Sequence, residues 1–339
     1  MASSVIIQTQ TFLTAGMVLL WSWVSGGQGS AEPLHLRLPL ECTLGADCFV
    51  QNYVDNGSGS DYRDYHCGAM TYQGHDGTDF RIPSIKVQKQ GVPVMATADG
   101  KVKAVRDGVP DALLTSATKA DVAGEECGNG VIIDHKDGWQ TQYCHMAQGS
   151  ITVKPGNRVA RGSIIGRVGL SGATEFPHVH LTVRHNGEVV DPFAPSLAPG
   201  SCSEKQGPTL FDDKDLIFEY RDRIVLNFGF VDGPVSGDEI EQGELKSRVP
   251  DHDSDAIVAY VRVMGLKKGD AQTFAIIGPD GEPIVKRVFE PLAGPKAQNS
   301  IYIGLKKPKE GWKLGIYSAI YSISEGNLPK ANKWFFLQF

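Results

Sequence analysis

The sequence predicts a mostly β chain, with two successive β domains behind an N-terminal leader, and three observations predict it. Short β-branched runs recur with few long helical patterns between them. The chain has 39 Gly and 19 Pro, many of them punctuating those runs as turns. After Phe211, at least seven strand-like runs fall in fewer than 130 residues, the pattern of an immunoglobulin-like β-sandwich. A length of 339 residues allows roughly two domains.

Residues 1–31 read as a signal peptide. Thr11 to Val24 is an apolar run, short for a membrane span but of signal-peptide length, and small residues follow it, with Gly29 and Ala31 placed for cleavage near Ala31. The segment before the run has no Lys or Arg, which leaves an uncleaved amphipathic helix as the other reading. No cysteine follows the run at a lipid-attachment position. After cleavage no stable membrane span is expected, and the chain is expected to be exported, either periplasmic or secreted.

Residues 32–66 form an irregular segment rich in Asp, Gly, Ser and Tyr. Residues 67–199 alternate short strands, such as Gly100 to Val105 and Gly130 to Asp134, with Gly-rich turns. Val105 to Glu126 interrupts them as an inserted loop. Residues 200–210 have linker composition. Residues 211–339 are expected to be a β-sandwich accessory domain that folds independently and has no chemistry of its own, where Ile257, Ala259, Val261 and Val263 alternate as one buried face. No partner for this domain is legible in the sequence.

A net charge of -6 offers no basic surface for nucleic acid. Cys42, Cys48, Cys67, Cys127, Cys144 and Cys202 are an even set in a chain read as exported, and are therefore disulfide candidates. Sequence alone does not choose their pairing, and free buried thiols are the other reading. A hairpin turn at Asp134 to Gly138 would bring Cys127 near Cys144; Cys42 and Cys48 suit a small local loop, which leaves Cys67 for Cys202. A zinc–thiolate site lacks the Cys-x-x-Cys spacing it needs.

The chemistry concentrates in two places. His75 and Asp79 lie four residues apart, and His178 and His180 are two apart on a strand, so both imidazoles share a face. A catalytic zinc needs three protein ligands and an open position. Four candidates for three positions leave one histidine beside the metal to move protons, which outlines a hydrolase.

The segment from Tyr72 to Phe193 resembles the lysostaphin-type, LytM-like zinc metallopeptidases, which cut peptide cross-links of peptidoglycan. The blocks occur in family order: His75-Asp76-Gly77-Thr78-Asp79, Gly91 to Val102, Gly128 to His135, Thr141 to Met146, Val153 to Gly172, and Pro177-His178-Val179-His180-Leu181. The resemblance implies one Zn²⁺ per chain on His75, Asp79 and His180, with His145 and His178 as catalytic histidines. It also implies a compact antiparallel β peptidase domain of the duplicated hybrid motif type, its central sheet flooring a narrow groove.

His145 shares a strand-like run, and by alternation a face, with Tyr143. One of His145 and His178 would take a proton from water and pass it to the leaving amine, and the other would stabilise the tetrahedral intermediate. Tyr72 is a weaker candidate for a substrate-facing hydroxyl, a packed aromatic being its other reading. His135 reads as a solvated hairpin residue; His66, His185 and His252 lack companions at ligand spacing; and Gly100, Gly130, Gly156, Gly162 and Gly172 read as tight turns. Gln73-Gly74 stands where relatives often carry a basic residue before the first histidine.

The expected function is therefore an exported zinc endopeptidase acting on peptidoglycan stem peptides or cross-bridges. Two alternatives stand beside it: a non-catalytic scaffold that activates cell-wall amidases, and a metalloprotease of protein substrates.

Overall fold

A computed structural model describes residues 34–115, 122–212 and 219–339. The expected signal peptide lies outside the described residues. Among those described, no helix is long and apolar enough to cross a membrane.

The first part of the chain folds as β1 (Phe49–Asn52), β2 (Thr78–Arg81), α1 (Ile85–Gln90), β3 (Pro93–Met95), β4 (Gly100–Arg106), β5 (Asn129–Asp134), β6 (Trp139–Met146), β7 (Arg158–Val159), β8 (Ile164–Arg167), β9 (His178–His185) and β10 (Glu188–Val189). Eight of these strands make one sheet, ordered β1-β2-β9-β6-β5-β4-β7 with β10 beside β9, while β3 and β8 pair separately. Each pairing is antiparallel, as the Gly-punctuated runs predict. One side of the sheet lies on a core that includes Phe80, Val131, Ile133, Tyr143, Val179 and Leu181. Period-two alternation leaves the other side of β6 and β9 free for polar side chains.

The segment expected to be irregular, residues 32–66, supplies the edge strand β1 and buries Leu36, Leu38, Leu40, Val50 and Tyr53 in that core. Leu34, Leu36, Leu38 and Leu40 alternate with non-apolar residues, a period of two that the reading as irregular passed over, and they find a place under the sheet. The glycine expectation also needs correction. Gly156, Gly162 and Gly172 have positive φ, as turns require, whereas Gly100 and Gly130 lie within β4 and β5.

The second part comprises β11 (Ile224–Val231), α2 (Gly237–Gln242), β12 (Ala256–Leu266), β13 (Asp270–Ile277), β14 (Pro283–Phe289), β15 (Lys296–Lys306), β16 (Ile316–Glu325) and β17 (Leu328–Gln338). A three-stranded sheet, β11-β12-β15, and a four-stranded sheet, β14-β13-β16-β17, share one core. The fourth strand of this set, β14, pairs with the third, whereas in a constant-type immunoglobulin domain it lies on the opposite sheet. Ile257, Ala259, Val261 and Val263 face the core as the alternation predicts. The opposite face of β12 is covered too. Val258 and Tyr260 pack with Ile240 of α2.

Leu210 and Phe211, expected at the linker and domain boundary, are buried in the core under the eight-stranded sheet, together with Leu226 and Met264. Three disulfides join Cys42 to Cys48, Cys67 to Cys202 and Cys127 to Cys144.

Candidate metal centre and active groove

The register of β2 against β9 sets Asp79 beside His180 and Arg81 beside His178. His75 enters from the loop before β2. Its Nε2 lies 3.2 Å from Asp79 Oδ1 and 3.1 Å from His180 Nδ1, and His180 Nδ1 lies 3.0 Å from Asp79 Oδ1. All three side chains are buried. Donor atoms of a tetrahedral zinc with bonds of about 2.0–2.1 Å sit roughly 3.3 Å apart, so this spacing is close to that of a metal's first shell.

The outer atoms of these groups decide what the inner ones offer. His75 Nδ1 donates to the Tyr53 carbonyl at 2.7 Å. His180 Nε2 faces Asp76 Oδ1 at 3.2 Å and the Thr182 hydroxyl at 3.0 Å. Asp79 Oδ2 accepts from Asn52 Nδ2 at 2.8 Å. With the outer nitrogens donating, two imidazole lone pairs and a carboxylate oxygen converge on one point, and such a set fits a cation. Among the described residues one other trio, Cys42, Asp47 and Cys48, is close enough to share an ion, but its sulfurs form a disulfide.

The electrostatics agree. Burial opposes charge on Asp79, but His178 and His75 outweigh it and hold the carboxyl well below its usual range. Burial also opposes charge on His180, yet hydrogen bonds to Asp76 and Asp79 push it up to about 9.

Gly77 is required by close approach. A Cβ there would lie 2.4 Å from His180 Nε2 and 2.8 Å from the Leu181 carbonyl oxygen.

His178 Nδ1 donates to the Phe176 carbonyl at 2.9 Å, which leaves Nε2 3.3 Å from Asp79 Oδ1. His145 corrects the expectation that it shares a face with Tyr143. Tyr143 points into the core and hydrogen-bonds Thr97. Between the pairs Asn129–Met146 and Val131–Tyr143 the register shifts, so Cys144 and His145 together oppose Gly130 in a β-bulge. With φ at 61°, His145 turns its ring to the other side of the sheet, 4.6 Å from His178 between ring centroids. Gly130 makes room, since a Cβ there would meet the Tyr143 carbonyl oxygen at 2.4 Å. His145 Nδ1 donates to the Ser171 carbonyl at 2.9 Å, and burial, with His178 and His180 adding, holds the imidazole well below its ordinary pKa.

His75, His145 and His180 line a groove of about 410 Å³ together with Tyr72, Asp76, Glu126, Ala173, Gln142, Cys144, Thr182 and Arg184. Tyr72 is 53% exposed, with its ring 4.5 Å from that of His75, so it stands at the groove rather than in a core. The Cys127–Cys144 disulfide lies in this lining, and the His145 amide donates to the Cys127 carbonyl.

Sequence reading passed over Asn52, Tyr53, Asp76 and Arg184. Asp76 lies within the quoted motif and could have been noticed as a third carboxylate-or-imidazole there; Asn52 and Tyr53 carry no local signal. The remaining histidines stand apart. His135, expected in solvent, is half-buried and bonded to the Asp99 carbonyl and the Thr141 hydroxyl. His66 stacks on Tyr220, His185 stacks on Trp139, and His252 reaches the Trp312 carbonyl.

Residues 73–192 match the family described as Peptidase family M23. The chain carries an M23 peptidase domain. Over 125 residues the chain is 32% identical to the cell division protein DipM of Caulobacter vibrioides, covering 37% of this chain and 17% of that protein. It is 35% identical to the peptidoglycan DD-endopeptidase ShyB of Vibrio cholerae, covering 37% of this chain and 25% of that protein. The chain thus spans a quarter or less of the length of these two relatives. Among solved structures it is similar to the catalytic domain of lysostaphin from Staphylococcus simulans, at 26% identity, 35% of this chain, 76% of that one and a TM-score of 0.26.

Proposed function

We propose that the M23 domain makes this chain an exported zinc metalloendopeptidase that hydrolyses peptide bonds in peptidoglycan stem peptides or cross-bridges. The observation that carries the reading is the convergence of His75 Nε2, Asp79 Oδ1 and His180 Nδ1 within 3.2 Å, with two further imidazoles beside them. Relatives named as peptidoglycan DD-endopeptidases support the substrate class. Three disulfides support an oxidising compartment, as export requires.

Bound to His75, Asp79 and His180, zinc would supply a Lewis acid that acidifies water and polarises a carbonyl. The protein's own groups do the rest. Tyr53 and Asp76 hold the outer nitrogens of the two ligand imidazoles, and Asn52 holds the outer oxygen of Asp79. Backbone carbonyls fix Nδ1–H on both His145 and His178, so each presents Nε2 for a proton or for developing negative charge. Burial keeps His145 neutral and able to accept.

Zymography on purified peptidoglycan, run beside a casein digest with and without a chelator, tests the reading. Chelator-sensitive clearing of peptidoglycan alone is expected. Casein cleavage would turn the reading to a general protease, and no hydrolysis by zinc-loaded protein would turn it to a scaffold.

A further inference from the structure

Past Asp79, a buried side chain of the sheet that carries these histidines meets the second half of the chain. Arg81 follows Asp79 by two residues on β2, so the two side chains share a face. The Arg81 side chain has no exposed surface. Its guanidinium meets both oxygens of Glu241, at 3.1 and 3.0 Å, as well as Gln298 Oε1 at 3.0 Å and Gln51 Oε1. Glu241 comes from α2, more than 150 residues along the chain. The same carboxylate accepts from Arg262, whose other nitrogen donates to the Pro83 carbonyl at 2.8 Å, just beyond β2.

Arg81 reaches the active groove through one residue. Its guanidinium carbon lies 4.7 Å from the centre of the Phe176 ring. That ring stacks on His178 at 4.4 Å, and the Phe176 carbonyl is the acceptor for His178 Nδ1. Glu241, Arg81, Phe176 and His178 therefore form one chain of direct contacts. A buried guanidinium needs a paired anion.

We propose that Glu241 is a positioning residue for the active groove: it holds Arg81 against Phe176, which fixes the His178 ring. The second half of the chain is then part of the catalytic apparatus. This inference rests on the peptidase reading above.

The test uses the full-length, zinc-loaded protein and a soluble cross-linked stem peptide. Glu241→Gln keeps the shape of the side chain and removes the charge. It should retain its zinc, leave KM within about twofold, and lower kcat about ten- to a hundredfold, since small displacements of a catalytic group cost that much. Glu241→Asp should restore most of kcat. Zinc content and kcat falling together, or a wild-type kcat in Glu241→Gln, would overturn the inference. Should Glu241→Gln fail to fold, Phe176→Leu removes the ring between Arg81 and His178 and keeps the carbonyl. The same kcat loss with zinc retained is expected there, and an unchanged kcat would overturn the proposal. No cleavage by the zinc-loaded wild type overturns the peptidase reading and this inference together, whereas cleavage that Glu241→Gln leaves unchanged overturns this inference alone.

Discussion

The rings of His145 and His178 lie 4.6 Å apart, although simple alternation along β6 would put His145 in the core with Tyr143. A bulge opposite Gly130 and a positive φ at His145 bring the two together. A non-glycine residue held in that region costs about 1–3 kcal/mol and persists only where its surroundings over-determine it. Here the surroundings are the Cys127 and Ser171 carbonyls, which take the His145 amide and Nδ1.

The five groups should separate into two classes on substitution. His75→Ala, Asp79→Ala and His180→Ala each remove an inner donor atom and should lose zinc. His145→Ala and His178→Ala leave the trio intact and should keep zinc while losing most activity, by a factor of about 100 or more. Metal analysis beside a peptide-cleavage assay reads both. Loss of zinc from His178→Ala with retention in His180→Ala would reverse the assignment.

Zinc affinity should fall as pH falls. The imidazole of His180 is raised to about 9 in the metal-free chain, so below that pH the ion must displace a proton. Apparent affinity should drop about tenfold per pH unit between roughly pH 9 and 6. Asp76→Asn removes a hydrogen-bonding charge that raises His180, and should move the onset of this slope to lower pH. Competition with a chelator across that range measures it, and a flat profile would contradict it.

Gly77→Ala tests close packing around the ligand. Its Cβ would fall within 2.4 Å of His180 Nε2 and 2.8 Å of backbone. Overpacking of this kind costs about 1–3 kcal/mol, and it should displace His180 from the trio. Weakened zinc binding in a folded variant is expected; wild-type affinity would show that the strand gives way freely.

Removing the Cys127–Cys144 bridge by the double change Cys127→Ser and Cys144→Ser opens a loop spanning 17 residues. The expected loss is about 3 kcal/mol, seen as a lower urea midpoint. Activity should fall further than zinc content, because Cys127 supplies the carbonyl that holds the His145 amide. Equal losses would mean that the bridge serves stability alone.

What was legible in the sequence was local. His75 with Asp79, and His178 with His180, sit at spacings that backbone geometry alone converts into a shared site. The alternation in β12 likewise placed Ile257 to Val263 in a core. What escaped is non-local or breaks the period. Asn52 and Tyr53, beyond the alternation of Leu34 to Leu40, reach the site through β1 and its edge position. The bulge at His145 inverts the face that counting assigns. Glu241 meets Arg81 from across the chain, and no spacing rule connects them.

That last contact bears on the expectation that the second β domain is an accessory. A chain ending at Gly200 would lose Leu210, Phe211, Leu226 and Met264 from the core under the eight-stranded sheet. It would also leave Arg81 without Glu241. Stripping one partner from a buried ion pair costs about 3–5 kcal/mol, a large part of the roughly 5–15 kcal/mol that holds a typical domain folded. The truncated protein should therefore be largely unfolded at 37 °C, or fold with a sharply lower urea midpoint. Adding Arg81→Met should recover part of that loss by removing the unpaired charge. Circular dichroism across a urea series, with zinc content measured on the same samples, checks this. A truncated chain that folds as stably as the whole and cleaves a soluble stem peptide at the full rate would show that the two halves act separately, as the linker composition of residues 200–210 implies.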